Sequence, residues 1–390
     1  MATNHSSSSI AGPEPASGEI AIRSIRSITD IDAADWDALV DERGMYQSYR
    51  WLLLREDDVG GRVSYLLADR AGKLVGAVAL YGPPPGRHAE GQADTIRVGT
   101  IVGHRNRLLV RPGTGEAEQL TVLTALVGGA RGVAAAQGYE SLVFEYLTSS
   151  DVQRLGSAVP VTATFAGSEF EIVTNGRSLG TYLGRLSASM RSQVRREMRR
   201  FTSAGWRGET ESASAVYRQA VPLLIATEAK YGRVFGDADV SQFLRQYAER
   251  MDDSGVAFTC RDGDRLVGLS LLFRWKSALY ARVVGFDYGA LRGSFEYFNL
   301  LFYRPIAYMH EHGLDTLHLG IQGGWDAKVR RGATAAPLWS CVVPASGEGG
   351  RVDWQDLATA QEFAHEVQAV APAAIHQDEW QPVTPGAPRR

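Results

Sequence analysis

Two hairpin-like segments, 192 positions apart, share one pattern and constrain the fold of this chain more than any other feature. The segment "ADRAGKLVGAVALY" runs from Ala68 to Tyr81, and "CRDGDRLVGLSLLF" runs from Cys260 to Phe273. Each has an apolar stretch, a short polar turn and a second apolar stretch that contains Leu-Val-Gly. This order is typical of a β-hairpin. The sequence therefore predicts two hairpins at equivalent places in a repeated unit.

A helix-to-strand junction follows each hairpin in the same order. "AAAQGYESLVFEYL" ends at Leu147, and "YMHEHGLDTLHLGI" ends at Ile321. Each reads as the end of a helix, a glycine that caps it and an apolar strand. Two matching pairs in one order favour tandem domains over a chance likeness between common hairpins. We expect an α/β (α+β) fold with two similar domains, each a mixed central sheet flanked by helices.

Changes in composition suggest where the domains begin and end. Residues 1–19 are rich in Ser, Pro and Gly, which predicts a disordered tail. We expect a first domain over residues 20–165 and a second over residues 166–345, joined near "GSAVPVTATFAGSEF". Residues 346–390 are expected to form a C-terminal helix and tail.

Composition narrows the class of protein. The chain has 390 residues, 44% of them hydrophobic, and a net charge of −3, so it is neither disordered in bulk nor a basic nucleic-acid coat. Its two cysteines provide neither a disulfide framework nor a zinc site and fit a reducing cytoplasm. The N-terminus lacks the pattern of a signal peptide, and we find no run of about 18 apolar residues, so no membrane span is expected.

The segment "LSASMRSQVRREMRRF", from Leu186 to Phe201, predicts an amphipathic helix. At about 100° per residue its apolar side chains gather on one side and its arginines on the other. The arginines are Arg191, Arg195, Arg196, Arg199 and Arg200. Like charges four residues apart repel, so a bound anion such as phosphate would stabilise this face. The alternative is a solvated face that pairs with acidic residues such as those of "RGETES".

The stretch "HLGIQGGWDAKVRRG" holds Lys328, one of only four lysines in an arginine-rich chain. It leaves the end of the second repeated strand as a glycine-containing loop, which is a favoured place for ligand sites in α/β folds. Lys328 and Arg331 could neutralise an anion, and Asp326 could accept a proton. The alternative is a surface ion pair between Lys328 and Asp326, worth under about 1 kcal/mol.

Two further titratable residues are candidates. Glu228, in "IATEAKYG", lies on a predicted apolar helix beside Lys230 and could act as a base if burial raises its pKa. A helix salt bridge is the alternative for Glu228. His318 alternates with Leu317 and Leu319 on the predicted strand, which favours a half-buried, hydrogen-bonded histidine over a catalytic one.

Taken together, the arginine segment, "VVGFDYGALRGSFEYFNLLFYRPIAYMHEHG" and "LGIQGGWDAKVRRG" resemble the Fem-like acyltransferases. These proteins consist of two GNAT (Gcn5-related N-acetyltransferase) folds, and the chain is most similar to the predicted N-acyltransferases of the peptidoglycan biosynthesis/recognition type. The resemblance covers most of residues 20–345. It implies two tandem GNAT-like domains and an enzyme that forms an amide bond on an amine acceptor, either a small metabolite or a cell-wall precursor.

The resemblance leaves two acyl donors open. Fem-type relatives use aminoacyl-tRNA, whereas ordinary GNAT enzymes use acyl-CoA. The GNAT pyrophosphate signature, Gln/Arg-x-x-Gly-x-Gly/Ala, is not matched by "RPGTGEA" (Arg111 to Ala117) in the first half or by "DYGALRGSFEYFN" in the second. We therefore favour aminoacyl-tRNA as co-substrate, with tRNA as a partner and no tightly bound cofactor or metal. The alternatives are acetyl-CoA as the donor and a non-catalytic module that binds an anion.

The resemblance and the residue types together suggest roles. Lys328 is expected to stabilise charge, and Asp326 or Glu228 to accept a proton. Substrate and phosphate contacts are expected from a further group of side chains. They are Arg191, Arg195, Arg199, Arg331, Gln322, Tyr297 and Trp325.

Overall fold

A computed structural model describes residues 19–83, 95–321 and 323–380. The strands of the first half are β1 (Ala21–Ile25), β2 (Val63–Arg70), β3 (Lys73–Tyr81), β4 (Thr95–Val98), β5 (Leu109–Val110), β6 (Ser141–Thr148) and β7 (Pro160–Val173). Those of the second half are β8 (Arg207–Glu211), β9 (Gly255–Asp262), β10 (Arg265–Trp275), β11 (Ala278–Phe286), β12 (Thr316–Ile321), β13 (Thr334–Pro344) and β14 (Arg351–Gln355).

Helices cover both faces of the sheet. Before β8 they are α1 (Ala33–Asp37), α2 (Tyr49–Val59), α3 (Glu116–Ala136), α4 (Ser149–Ala158), α5 (Leu179–Arg185) and α6 (Ala188–Ser203). After β8 they are α7 (Ala213–Lys230), α8 (Asp237–Arg250), α9 (Glu296–Phe298), α10 (Arg304–Glu311), α11 (Trp325–Arg330), α12 (Leu357–Val370) and α13 (Gln377–Trp380). A π-helical turn, Asn299–Tyr303, joins α9 to α10, and Pro305 lies in the first turn of α10, where it removes no helix hydrogen bond.

Both predicted repeats are confirmed. The hairpins β2–β3 and β9–β10 are antiparallel and have equivalent places in the sheet. Each half then places a helix, a glycine and a strand: α3 leads to β6 and α10 leads to β12. Gly138 and Gly313 adopt φ of 78° and 66° just after these helices, a conformation that side chains with a Cβ rarely adopt. The repeated sequence patterns therefore predicted the order of strands and helices that the two halves share.

The two halves exchange their last strands. The sheet order in the described residues is β1-β2-β3-β4-β6-β13-β7-β12-β11-β10-β9-β8, so β13 of the second half pairs with β6, and β7 of the first half pairs with β12. β7 and β13 also pair with each other over most of their length. The predicted join between residues 165 and 166 falls inside β7. That division of the chain stays a prediction, and β7 and β13 tie the halves into one sheet.

Two parallel strand pairs open toward the junction of the halves. β4 pairs with β6 in parallel, and β11 pairs with β12 in parallel over only three residues, from Ala278 to Tyr280. Beyond those pairs the strands separate. Side chains at the carboxyl ends of parallel strands commonly line ligand sites in α/β folds. The loop after β4 and the segment after β12 are therefore the natural places to look for a site.

Helix α3 alone among the described helices is long and apolar enough to cross a membrane by length and composition. One side of it, including Val122, Leu126 and Ala130, is buried in the main core. The core helix of a sheet protein passes the same test, so α3 is weak evidence for a membrane span and no stronger than that.

Candidate active site at the junction of the two halves

The arginine-rich segment folds as α6, as its amphipathic pattern predicted. Ser187 Oγ caps the helix by accepting a hydrogen bond from the Met190 amide at 3.3 Å. Val194 and Phe201 are buried in the main core, with Met190 and Met198 packed beside them. Arg195, Arg196, Arg199 and Arg200 are exposed, and Arg191 is partly exposed. The helix therefore presents four exposed cations on its outer side.

The arginines of α6 do not pair with the acidic segment that follows them. Within the described residues, none of Arg195, Arg196 and Arg199 has a carboxylate within 4.0 Å. Glu209 instead binds Arg207, and Glu211 binds Arg261. The alternative of internal charge pairing is thus not what the structure shows, and the outer face of α6 is open to an external anion.

The single acidic residue of α6, Glu197, is fully buried rather than exposed with its arginine neighbours. Its carboxylate accepts hydrogen bonds from Arg331 Nη2 at 3.0 and 3.1 Å, from Gln193 Nε2 at 2.8 Å and from the Tyr303 hydroxyl. Sequence reasoning missed this role. At about 100° per residue Glu197 falls about 20° from Met190, so its place beside the apolar stripe was the available signal.

This network corrects the role expected for Arg331. Arg331 is 3% exposed, and its guanidinium also stacks 3.4 Å from the centroid of Phe298. Its Nε donates to the Tyr303 hydroxyl at 2.8 Å. A guanidinium held in this way by a buried carboxylate is not available to phosphate. Arg331 therefore joins α6 to the segment after α11 as part of the core.

Lys328 lies on α11, the short helix that follows β12, and it is 4% exposed. Its ammonium lies 4.8 Å from the centroid of the Phe170 ring on β7. Burial lowers the pKa of Lys328 to about 7, since a charged amine is disfavoured away from water. Lys328 can therefore exchange a proton near neutral pH, which an exposed lysine cannot do.

The first half supplies polar groups beside Lys328. His104, in the loop after β4, lies 3.3 Å from the Tyr46 hydroxyl through Nδ1 and 3.0 Å from Arg282 Nη1 through Nε2. Burial, then the charges of Arg282 and Lys328, lower the pKa of His104 to about 3, so the ring is neutral. Its Nε2 accepts from the guanidinium. Sequence reasoning did not find His104 or Tyr46, because their contacts come from distant parts of the chain.

A second polar group lies along β7. Glu169 and Glu171 point to the same side of this strand because they are two residues apart. Arg105 forms an ion pair with Glu169, and Arg43 Nη2 donates to Glu171 Oε1 at 2.6 Å. Burial raises the pKa of Glu169, against the opposing effect of Arg105. No local pattern in the sequence marked these two carboxylates as candidates.

His318 is buried more deeply than the half-buried, hydrogen-bonded position that the alternation along its strand favoured, and its Nε2 has no hydrogen-bond partner among the described residues. Its ring stacks on Tyr280 with 4.2 Å between centroids, and Nδ1 lies 3.5 Å from Glu171 Oε2. Burial, followed by the charges of Arg105 and Arg43, lowers the pKa of His318 well below its usual range. The ring is therefore neutral, and its contact with Glu171 is not an ion pair.

The two predicted proton acceptors are held by arginines. Arg330 Nε donates to both carboxylate oxygens of Asp326, at 3.0 and 2.9 Å, and the Asp326 side chain is half exposed. Asp326 thus pairs with Arg330 and not with Lys328. Glu228 pairs with Arg233 at the end of α7. The structure brings neither carboxylate into the polar group around His104.

The remaining predicted residues lie at separate places. Tyr297 is partly exposed within an aromatic group that includes Phe298 and Phe302, and burial raises its pKa to about 12. Trp325 packs edge-on against Phe363 of α12, with 5.6 Å between centroids. Gln322 lies outside the described residues. Residues 19–83, 95–321 and 323–380 contain no group of three or more His, Cys, Asp or Glu placed to hold a metal.

A protein-family model matches residues 101–348, which is more than half of the chain and includes His104, α6 and Lys328. The model is that of the FemAB-like proteins, described as peptidoglycan biosynthesis/recognition. The chain belongs to the FemAB-like family. It is thereby a member of a family of acyl and aminoacyl transferases, as the resemblance implied. No curated protein sequence matches this FemAB-like chain.

Solved structures support the tandem GNAT-like fold of this FemAB-like protein. FemX superposes with a TM-score of 0.59 at 13% identity, over 81% of this chain and 96% of that one. The C-terminal domain of a putative lysylphosphatidylglycerol synthetase from Agrobacterium fabrum gives 0.51 at 13% identity, over 90% and 99%. L-PGS from Bacillus licheniformis gives 0.50 at 11% identity, over 87% and 96%. At these identities the likeness concerns the fold.

The pKa of Lys328 makes a prediction about the stability of the FemAB-like chain. Between about pH 7 and 10.5 the unfolded lysine binds a proton that the folded one has released, so unfolding becomes harder as pH rises. Relative to Lys328→Met, the unfolding free energy of the wild type is expected to rise by about 1.4 kcal/mol per pH unit in that window. Below pH 7 the difference should be flat. Urea titrations of both proteins from pH 6 to 10 measure it, and a pH-independent difference would contradict the buried lysine.

Proposed function

We propose that this FemAB-like protein transfers the acyl group of an aminoacyl-tRNA to the amine of a second substrate and forms an amide. The observation that carries the proposal is the outer face of α6, where four exposed arginines form no ion pair with any described residue. Guanidinium groups spaced along a helix suit the phosphates of a nucleic-acid backbone. The buried cysteines, both free thiols, fit a cytoplasmic location, where charged tRNA is available.

Acyl-CoA is the less favoured donor because both places where a GNAT fold would bind pyrophosphate carry acidic groups. In the second half the amides of Arg292 and Ser294 donate to the buried carboxylate of Glu296, at 2.9 and 3.0 Å. Burial raises the pKa of Glu296, but these hydrogen bonds outweigh it and the net pKa is lowered. The loop's own carboxylate therefore occupies amides that would otherwise bind phosphate.

In the first half the corresponding helix is α3. Gly115 is its N-cap and makes no side-chain cap hydrogen bond, and Glu116 and Glu118 lie in its first turn. Carboxylates there already complement the positive end of the helix dipole and oppose a second anion. Neither half thus offers a phosphate cradle of the acyl-CoA kind, which favours a donor that is held through its nucleic-acid backbone.

The reaction needs alignment, charge stabilisation and a proton path. The acceptor nitrogen forms the new C–N bond with the ester carbonyl, and the C–O bond to the tRNA 3′ end breaks. We assign Lys328, as the ammonium, to the developing oxyanion. Starting from the neutral acceptor amine, Lys328 gives its proton to the departing 3′ oxygen and regains one from the acceptor nitrogen. An acceptor that binds as the ammonium must first release one proton to solvent. A pKa of about 7 suits both transfers. Asp326 and Glu228 are less suited to this role because each binds an arginine.

Binding of bulk tRNA at 50 and 200 mM salt tests the donor. We expect the affinity to fall steeply as salt is raised. In a plot of the logarithm of the binding constant against the logarithm of the salt concentration, each duplex phosphate contact should contribute about −0.9 to the slope. An Arg195→Gln, Arg199→Gln double variant should weaken binding at low salt and reduce that slope by about 2. Arg177→Gln, which changes an exposed arginine outside α6, is the control. Saturable acetyl-CoA binding without tRNA binding would make the chain an acyl-CoA enzyme, and binding of neither would indicate a non-catalytic module.

A further inference from the structure

A cavity of about 770 Å³ lies against β7 and β13, and none of the α6 arginines lines it. Its floor is the polar side of β7 and β13, where Glu171 pairs in register with Thr334 and Glu169 with Ala336. Gly332, four residues beyond Lys328, lies in its wall. The cavity has the volume of a small organic ligand. Lys328 does not line the cavity but contacts Phe170, the residue of β7 between Glu169 and Glu171.

The charges around the cavity balance. Four arginines line it: Arg43, Arg105, Arg107 and Arg185. Four carboxylates line it as well, two on β7 and two near its rim at residues 378 and 379. A site for phosphate, nucleotide or RNA carries an excess of positive charge, as α6 does. An equal number of both charges instead suits a molecule that carries both an amine and a carboxylate.

The carboxylates of β7 can accept an amine. Glu169 and Glu171 are both more than nine-tenths buried, and two carboxylates this close on one side of a strand repel each other. Glu171 Oε1 accepts a hydrogen bond from Arg43, whereas Oε2 lies 3.5 Å from His318 Nδ1 and makes no hydrogen bond to any described residue. An ammonium bound here would donate to that oxygen and reduce the repulsion. A buried carboxylate oxygen without a donor otherwise costs free energy.

Arg185 can bind a carboxylate a short distance away. Its Nη1 donates to the backbone oxygen of Val173 at 2.6 Å, and no carboxylate among the described residues pairs with it. Val173 is two residues from Glu171, or roughly 7 Å along an extended strand. That spacing lets one α-amino acid reach both groups through their side chains. The other arginines are less available, since Arg43, Arg105 and Arg107 bind Glu171, Glu169 and Asp41.

We propose that this cavity binds a free amino acid or short peptide as the amine acceptor, with its amine on Glu171 and its carboxylate on Arg185. The assignment of the ligand as acceptor rests on the proposed transfer. The binding site itself does not, because it follows from the cavity, its balanced charges and these two side chains. Thr148, Ser149, Ser150 and Gln153 form a polar wall that would face the ligand side chain.

The test measures binding in the absence of any donor. Calorimetry of the full-length protein with each of the twenty amino acids and glycyl dipeptides should find at least one saturable ligand. Its decarboxylated amine should bind about 10- to 100-fold more weakly, because it lacks the group for Arg185. Arg185→Gln should weaken binding of the amino acid by a similar factor and leave binding of the decarboxylated amine unchanged. Glu171→Gln keeps the shape of the side chain and should weaken binding of both the amino acid and the amine. The control Arg177→Gln should change neither affinity.

Three results would overturn the proposal. The first is that no amino acid or dipeptide binds. The second is an affinity that Arg185→Gln and Glu171→Gln leave unaltered, which would place the ligand elsewhere. The third is tighter binding of inorganic phosphate or a nucleotide than of any amino acid. Because no tRNA is present, a failure here leaves the donor assignment standing, and a failure of tRNA binding leaves this site standing.

Discussion

Lys328→Met is expected to lower the rate constant of amide transfer by about 100- to 1000-fold, the usual cost of removing a group that stabilises a developing oxyanion. Methionine fills much of the volume of lysine without its charge, so the packing against Phe170 is retained. The KM for tRNA should change little, since Lys328 is buried whereas the α6 arginines offered to tRNA are exposed. Single-turnover transfer with saturating donor separates the two effects.

The pH dependence of the same reaction identifies which form of Lys328 acts. If the ammonium stabilises charge, the transfer rate of the wild type should fall as pH rises through about 7, because the lysine then loses its proton. Lys328→Arg keeps a cation at all accessible pH values and should retain part of the activity without this decline. A rate that instead rises through pH 7 in the wild type would identify the neutral amine as the active form.

Unchanged turnover in a folded Lys328→Met protein would remove this residue from the mechanism. Near-ultraviolet circular dichroism and the unfolding midpoint of the variant show whether it is folded. Asp326→Asn serves as the matched control on the same helix, because the Asp326 side chain is half exposed and bound to Arg330. We expect Asp326→Asn to retain most of the activity.

Glu197→Ala is expected to destabilise the protein by about 3–5 kcal/mol. It leaves the buried guanidinium of Arg331 without its carboxylate, and an unpaired buried charge is among the most costly defects that a substitution can produce. The Tyr303 hydroxyl and Gln193 lose an acceptor as well. Urea unfolding followed by tryptophan fluorescence measures the change.

A double variant distinguishes the loss of the ion pair from the loss of packing. Glu197→Met with Arg331→Met replaces both charges by apolar side chains, and it should recover most of the stability that Glu197→Ala loses. Glu249→Ala removes an exposed side chain that pairs with Arg245, and it should change stability by less than about 1 kcal/mol. If Glu197→Ala were as mild as Glu249→Ala, Glu197 and Arg331 would not form a buried pair in solution.

Local patterns predicted the repeated elements because they are determined by neighbouring residues. The hairpins, the glycines after α3 and α10, and the two sides of α6 all follow from periods of two or about 3.6 residues. The exchange of β7 and β13 does not have such a signal, since it depends on which strands pair across more than 160 positions. The pairing of Glu197 with Arg331 could not be predicted for the same reason, because the two residues are 134 positions apart.

The site shows the same division. Lys328 could be selected because its residue type is rare here and because a glycine loop follows a strand. Its assumed partner Asp326 pairs instead with Arg330, which is the usual neighbour four residues along a helix. His104 and Glu169 become candidates only when the fold places the loop after β4 against β7 and β12. Arg331 has the charge that a phosphate contact needs, but it is buried and its guanidinium pairs with Glu197.

The central claim is that the FemAB-like chain moves an acyl group from aminoacyl-tRNA to an amine. Its most direct test is a transfer assay with two labelled donors, a charged tRNA pool carrying ¹⁴C-amino acids and ¹⁴C-acetyl-CoA. Free amino acids and a peptidoglycan precursor peptide are supplied as acceptors. Mild alkali removes ester-bound label and leaves amide-bound label. We predict alkali-stable label from the tRNA pool that depends on Lys328. Alkali-stable label from acetyl-CoA alone, or from neither donor, would contradict the claim.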